Sequence, residues 1–271
     1  MSKFLDLKFD SWRYITIKFN QYRNLEISKE YLLNDGYHSL YRNEDFEMDD
    51  SVIAMFDVSK YRIKDVQTII LHELHGVIIE ARTTKQLMNE IYRINGLGFF
   101  MSKSLAKIFR VTRYIPFTHA YLVYMPVNGN SRQNTDWIAP HLVKRAEVID
   151  KILHVVTVGG DYFQVDFTKG NFEKRMHDVS LLNESSFLLM EALIKIGNCN
   201  VTKPQELGLF RTYEKCECDK HLEMRTKSQD INFMVLAMTE HLLLNLGIEM
   251  IEKIELVKYY SHHLARLKRI Y

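Results

Sequence analysis

Ile152-Leu153-His154-Val155-Val156-Thr157-Val158 and Tyr162-Phe163-Gln164-Val165-Asp166-Phe167 stand on either side of Gly159-Gly160-Asp161. Two apolar runs of strand length joined by so short a glycine turn predict an antiparallel hairpin. A second pair lies upstream, Thr68 to Leu74 and Val77 to Ala81, separated by His75-Gly76. Val52 to Val58 and Ala120 to Met125, the latter ending at Pro126, are further strand-length runs, and Trp12 to Phe19 is rich in β-formers. Helix signals alternate with these strands. Thr83 or Thr84 is placed to cap a helix running to about Ile94, with Leu87, Ile91 and Ile94 on one face and Asn95-Gly96 as the stop. Ser102 is placed to cap a short helix in which Leu105, Ile108 and Phe109 share a face while Lys103, Lys107 and Arg110 take the other. Ser185 to Ile196 is expected to be helical. Ile231 to Tyr271 carries helix-period apolar residues, with a break expected at Gly247. The fold class is therefore α+β: a mixed or antiparallel β core with flanking helices and a helical C-terminal part. Three regions are expected, a mixed α/β region over 1–97, a core over 98–198 and a mainly helical region over 199–271.

The 271 residues contain 46% hydrophobic and 26% charged side chains, the profile of a globular chain with a sizeable core. Four prolines and eleven glycines exclude a collagen-like or low-complexity chain. No apolar run reaches the roughly 20 residues of a membrane-spanning helix, and the N-terminus has no secretory apolar segment. Three cysteines, Cys199, Cys216 and Cys218, argue against a disulfide framework and fit a reducing cytoplasm.

The net charge of +2 hides an uneven distribution. From Gly98 to Arg145 the cations are Lys103, Lys107, Arg110, Arg113, Arg132, Lys144 and Arg145, against a single acid, Asp136. That window carries +6 and leaves −4 for the rest of the chain. Lys258, Arg266, Lys268 and Arg269 form a second cationic stretch, and Glu44, Asp45, Glu47, Asp49 and Asp50 an acidic one. Because charges more than about 8 Å apart are largely screened, a local excess attracts polyanions whatever the total. A solvated surface is the plain alternative for any such window.

Several candidate sites fail on spacing. His72-Glu73-Leu74-His75 is similar to the helical zinc-protease signature, but its histidines stand three apart instead of four and its surroundings read as strand. Cys216-Glu217-Cys218 with His221 has the residue types of a soft-metal site, yet no second ligand pair stands at zinc-finger spacing, and no metal is assigned. No Walker loop, dinucleotide glycine fingerprint or nucleophile elbow is present. Gly159-Gly160 lacks the following helix and lysine that phosphate binding requires. Asp49-Asp50 has no partner base. The expectation is a non-enzymatic chain without a cofactor.

One resemblance runs through the middle of the chain. Phe99-Phe100 precedes the basic segment Ser102-Lys103-Ser104-Leu105-Ala106-Lys107, then come Thr112-Arg113-Tyr114 and a strand ending in Tyr124-Met125-Pro126. A polar loop with Ser131-Arg132 follows, then Trp137-Ile138 with His141 and Val143, and last a hairpin, Tyr162 to Lys169-Gly170, leading to a helix around Asn183 to Ala192. In order and spacing, about residues 98–197 resemble the ComK family, the competence transcription factors of low-GC Gram-positive bacteria. Thr135-Asp136 stand where that family often has a cysteine. The resemblance implies binding of A/T-rich double-stranded DNA through the minor groove and activation of transcription. DNA-binding residues are then expected among Lys103, Lys107, Arg110, Arg113, Arg132, Lys144 and Arg145. Arg132, in a Gly/Asn/Ser loop, is the candidate minor-groove arm, and Lys103, Lys107 and Arg110 suit phosphates. Trp137 and His141 are read as packed residues. Self-association through the C-terminal helices is expected, and Phe233-Met234, similar to a family segment read by a proteolytic adaptor, adds such an adaptor as a partner. The rival reading is a protein-interaction module that keeps the fold without the DNA.

Overall fold

The computed structural model describes residues 26–37, 40–94, 98–129, 134–202, 208–245 and the single positions 255, 258, 259 and 262. Trp12 to Phe19 and Gly247 lie outside these. The first described helix is the short α1 (Lys29–Leu33), whose N-cap Ser28 side chain accepts the Tyr31 N–H. Strands β1 (Tyr41–Arg42), β2 (Val52–Asp57), β3 (Thr68–His72) and β4 (Gly76–Glu80) follow, then helices α2 (Thr84–Ile94) and α3 (Gly98–Ile108). Next come β5 (Phe117–His119), β6 (Leu122–Pro126), β7 (Trp137–Ile138), β8 (Val143–Ile149), β9 (Ile152–Thr157) and β10 (Tyr162–Asp166). Helices α4 (Phe172–Ile196), α5 (Asp219–Gln229) and α6 (Ile231–Asn245) complete the described part.

Seven strands form one mixed sheet in the order β1-β4-β3-β2-β7-β6-β5, parallel at β1–β4 and antiparallel at the other pairs. Its central strands β2, β3 and β4 are buried at nearly every position because both faces are covered, with the polar residues Asp57, Thr68, His72 and Glu80 at strand ends. Ile69 and Leu71 of β3 and Val123 and Met125 of β6 face one core, shared with Ile138 of β7. Ile70, Tyr124 and Trp137 face the other, where Leu87, Met88 and Ile91 of α2 pack. The β9–β10 hairpin forms where its glycines predict it. With β8 it makes a three-stranded antiparallel sheet, order β10-β9-β8, whose Leu153, Val155, Phe163 and Val165 close the first core. Met101 and Leu105 of α3 and Phe109 just after it join Leu181, Leu182 and Leu189 of α4 with Met224 and Met234 in a third, helical core.

The β3–β4 hairpin and the α2 cap follow their sequence signals. Thr83 Oγ1 accepts the Gln86 N–H at 3.2 Å while the Gln86 side chain accepts the Thr83 N–H at 2.8 Å, a reciprocal capping box. Two expectations need correction. Ser102 caps nothing: the helix begins at Gly98, and Ser102 is buried with its Oγ accepting the Thr118 N–H at 3.0 Å. The last long helix starts at Phe172, well before Ser185, because Asn171 caps it by accepting the Lys174 N–H. β2 pairs with β7, so the sheet spans residue 97, where the first region is expected to end. Among the described residues no helix is long and apolar enough to cross a membrane.

Candidate nucleic-acid interface

Helices α2 and α3 and the segment after α3 enclose a cleft of about 780 Å³. Lys85 from α2, Lys103 from α3 and Arg113 from the following segment line it, with Asn89 and Asn134, and none of its lining residues among the described ones is acidic. Its apolar surface comes from Phe99, Tyr114 and Trp137. Lys103 Nζ lies 5.4 Å from the Phe99 ring centroid, one helical turn away, a cation–π contact that holds the ammonium at the rim. Thr84 Oγ1, buried in the same wall, has no hydrogen-bond partner among the described residues.

The absence of acid from the cleft follows from strand alternation. Thr135 and Trp137 face the cleft, so Asp136 between them points to the opposite side of the sheet. There it forms a buried ion pair with Lys29 at 2.8 Å and accepts the Asp57 N–H at 2.7 Å. Burial raises the pKa of Asp136, against the lowering by Lys29. The one acid of the cationic window is thus removed from its cations.

The segment that delivers Arg113 is bracketed by left-handed residues, Arg110 at φ 58° and Tyr114 at φ 52°. Each such non-glycine conformation costs roughly 1–2 kcal/mol and persists where surrounding contacts impose it. At Tyr114 the imposing group is Arg175 of α4. Its guanidinium carbon sits 3.7 Å from the Tyr114 ring centroid and 4.4 Å from that of Phe167. The same group donates to the carbonyls of Pro126, Val127 and Lys169, tying the start of the 127–135 loop to α4. Burial pushes the Arg175 pKa down to about 10, so it remains a cation at neutral pH.

The expected DNA-binding residues divide. Lys103 and Arg113 meet in the cleft. Lys107 and Arg110 are exposed along and just past the same helix, outside the cleft lining. Arg132 lies outside the described residues, but Gly129 and Asn134, on either side of it in sequence, both line the cleft. Lys144 and Arg145 do not join. They lie on exposed β8 in the other sheet, and Arg145 is tied to Glu147 at 2.9 Å. Sequence reasoning missed Lys85, which precedes the cationic window and reaches the cleft only because α2 packs on the same sheet face. It also missed Arg175. Trp137 is a core residue at 3% exposure, as read, with an edge at the cleft floor.

His141 is packed as expected, its Nδ1 3.0 Å from the Val123 carbonyl oxygen and its Nε2 3.3 Å from that of Asp50. Burial lowers its pKa below the ordinary histidine value. The unfolded chain therefore binds a proton near pH 6.5 that the folded chain refuses, so this contribution is intact above pH 6.5 and lost as pH falls below it. Urea midpoints are expected to fall between pH 7.5 and 5.5, and His141→Asn is expected to flatten part of that fall. An unchanged slope in the variant would contradict the assignment.

His72, of the rejected protease-like signature, ends β3. Its Nδ1 accepts the Leu74 and His75 N–H groups and its Nε2 lies 3.0 Å from Asp49 Oδ1, a structural role. The Cys216/Cys218/His221 set lies outside the cleft and gains a fourth member, His177 of α4. No family model, curated protein or solved structure matches the chain.

Proposed function

We propose that the chain is a DNA-binding transcriptional regulator of the ComK type, non-enzymatic, that grips A/T-rich duplex through the α2–α3 cleft and the 127–135 loop. The observation carrying this reading is the acid-free cleft with Lys85, Lys103 and Arg113 at its walls and aromatic edges at its floor. Ammonium and guanidinium groups on two rigid helices and a braced turn suit successive backbone phosphates, the sequence-independent share of affinity. Lys107 and Arg110 extend the positive surface along α3. Arg132, from the loop whose near ends line the cleft, is the group for the narrow minor groove of A-tracts, where width and potential discriminate. Lys144 and Arg145, on the other sheet, fall outside the contact surface. The order of motifs shared with ComK over 98–197 supports activation of transcription as the outcome, with self-association raising affinity through linked sites.

Equilibrium binding to A-tract and G·C-rich duplexes at matched salt tests the reading. Arg132→Ala is expected to weaken A-tract binding by about tenfold, the low-to-middle range of 1–3 kcal/mol for a groove contact, and G·C-rich binding less. Lys103→Ala is expected to weaken both alike. Equal losses for Arg132→Ala would remove the minor-groove role. No duplex binding at low salt would leave the protein-interaction module as the better reading.

A further inference from the structure

The helical third of the molecule holds a second constellation, independent of the cleft. His177 comes from the second turn of α4, Cys216 and Cys218 from the connector before α5, and His221 from the first turn of α5. One donor atom from each of the four lies within 4.8 Å of the other three. Cys218 Sγ is 3.2 Å from His177 Nε2 and 3.3 Å from His221 Nδ1, and Cys216 Sγ is 3.8 Å from His177 Nε2.

Hydrogen bonding alone satisfies this arrangement poorly. A thiol has one proton, yet Cys218 faces two imidazole nitrogens while a second sulfur approaches the same histidine. A tetrahedral zinc ion satisfies all four donors at once. With Zn–S near 2.3 Å and Zn–N near 2.0–2.1 Å, the edges of such a tetrahedron are roughly 3.3–3.8 Å. The three S···N distances above, 3.2, 3.3 and 3.8 Å, lie on either side of the roughly 3.5–3.6 Å of such an S···N edge, so small side-chain adjustments bring the donors onto one ion.

The surroundings fix the ligands. Arg225 clamps the connector: its Nη1 donates to the Cys216 carbonyl at 2.8 Å, its Nη2 to the Glu214 carbonyl at 3.0 Å, and its Nε pairs with Glu184 of α4 at 2.6 Å. Cys218 is the N-cap residue of α5, an eleven-residue helix, where the positive end of the helix dipole favours a thiolate. Asp178 Oδ1 lies 3.9 Å from His177 Nδ1, beyond hydrogen-bond distance, and places a negative charge beside the imidazole. His221 is fully buried, and its Nε2 has no partner among the described residues, so a metal at Nδ1 would fix the proton on Nε2.

We propose that His177, Cys216, Cys218 and His221 form a closed structural site for one zinc ion. With four protein donors and no open position, it pins the connector and the start of α5 onto α4 and performs no chemistry on a substrate. Binding converts both thiols to thiolates and releases their protons to solvent, leaving both histidines neutral.

The test uses the full chain, purified under reducing conditions and freed of metal with a chelator. Cobalt(II) chloride titration is expected to saturate at one equivalent, with the intense visible bands of a tetrahedral site and a near-ultraviolet thiolate-to-cobalt band, all displaced by zinc. Cys216→Ser, Cys218→Ser and His177→Ala are each expected to weaken zinc binding by at least about 100-fold, the upper end of the effect of losing even an outer-shell partner. Cys199→Ser, at an exposed cysteine outside the cluster, is expected to bind as wild type does. Because the wild-type titration stands alone, misfolding of a variant does not blunt the test. Absence of a tetrahedral cobalt spectrum in the reduced wild-type chain would overturn the proposal. So would an isolated Cys216–Cys218 disulfide that takes up no zinc once reduced, or undiminished binding in folded His177→Ala.

Discussion

Replacing Lys103 and Arg113 together by glutamate is expected to lower duplex affinity by roughly 10²–10³-fold at 0.15 M salt. Each neutralised phosphate contributes a slope of about −0.9 in log affinity against log salt, which at that concentration corresponds to about a factor of five. Two lost contacts give about 30-fold, and two new anions facing phosphates add a repulsion of similar size. Both side chains are exposed, so the thermal midpoint is expected to stay near wild type. The matched control is Lys144→Glu with Arg145→Glu. Those cations are as basic and lie in the same stretch of sequence, but β8 carries them in the other sheet. Their reversal is expected to change affinity by less than the few-fold long-range effect of altered net charge. Equal losses in the two double variants would mean that attraction is diffuse and the cleft is not the site.

Arg175→Met is expected to destabilise the fold by about 3–5 kcal/mol, the sum of two or three buried carbonyls left without their donor. The guanidinium is 6% exposed and serves three backbone carbonyls in addition to two aromatic rings. Methionine fills much of the volume but leaves those carbonyls without their donor, at roughly 1–3 kcal/mol for each that water cannot reach. Arg175→Lys is expected to rescue little, since one ammonium cannot reproduce a planar fork that stacks and bridges at once. Denaturant unfolding measures the loss. The consequence reaches the cleft, because Arg175 holds both Tyr114 in its wall and Val127 at the start of the loop that carries Arg132. A loss below 1 kcal/mol would show that the guanidinium is not the brace.

Sequence and structure agree where local patterns decide. The glycine turns of β3–β4 and β9–β10, the apolar run Val52 to Phe56 of β2 and the threonine cap of α2 are local signals, and no distant contact opposes them. Strand order is not local. β2 sits beside β7 because a sheet closes across two intervening helices, and nothing in either strand's residues announces that neighbour. Polar residues on buried faces hid other features: Ser102 reads as a cap although it bonds Thr118 from inside the core. Arg175 and His177 interrupt the apolar period of α4 and so concealed its first half.

The site divides along the same line. Lys103 and Arg113 were legible as members of a cationic window. That window also swept in Lys144 and Arg145, which a sheet change carries away, and excluded Lys85, which packing brings back. Asp136 counted against the window but is spent on Lys29 behind the sheet. For the Cys/His cluster, Cys216, Cys218 and His221 were visible by spacing, whereas His177, on a different helix, becomes a neighbour only in three dimensions.

The salt dependence of duplex binding tests the central claim most directly. Log affinity for an A/T-rich duplex, measured from 50 to 300 mM salt, is expected to fall linearly with log salt, with a slope of about −3 or steeper from Lys85, Lys103, Arg113 and Arg132. Each of Lys85→Ala, Lys103→Ala and Arg113→Ala is expected to flatten the slope by about one. A wild-type slope near zero, or one that these substitutions leave unchanged, would contradict the cleft as a duplex-binding surface.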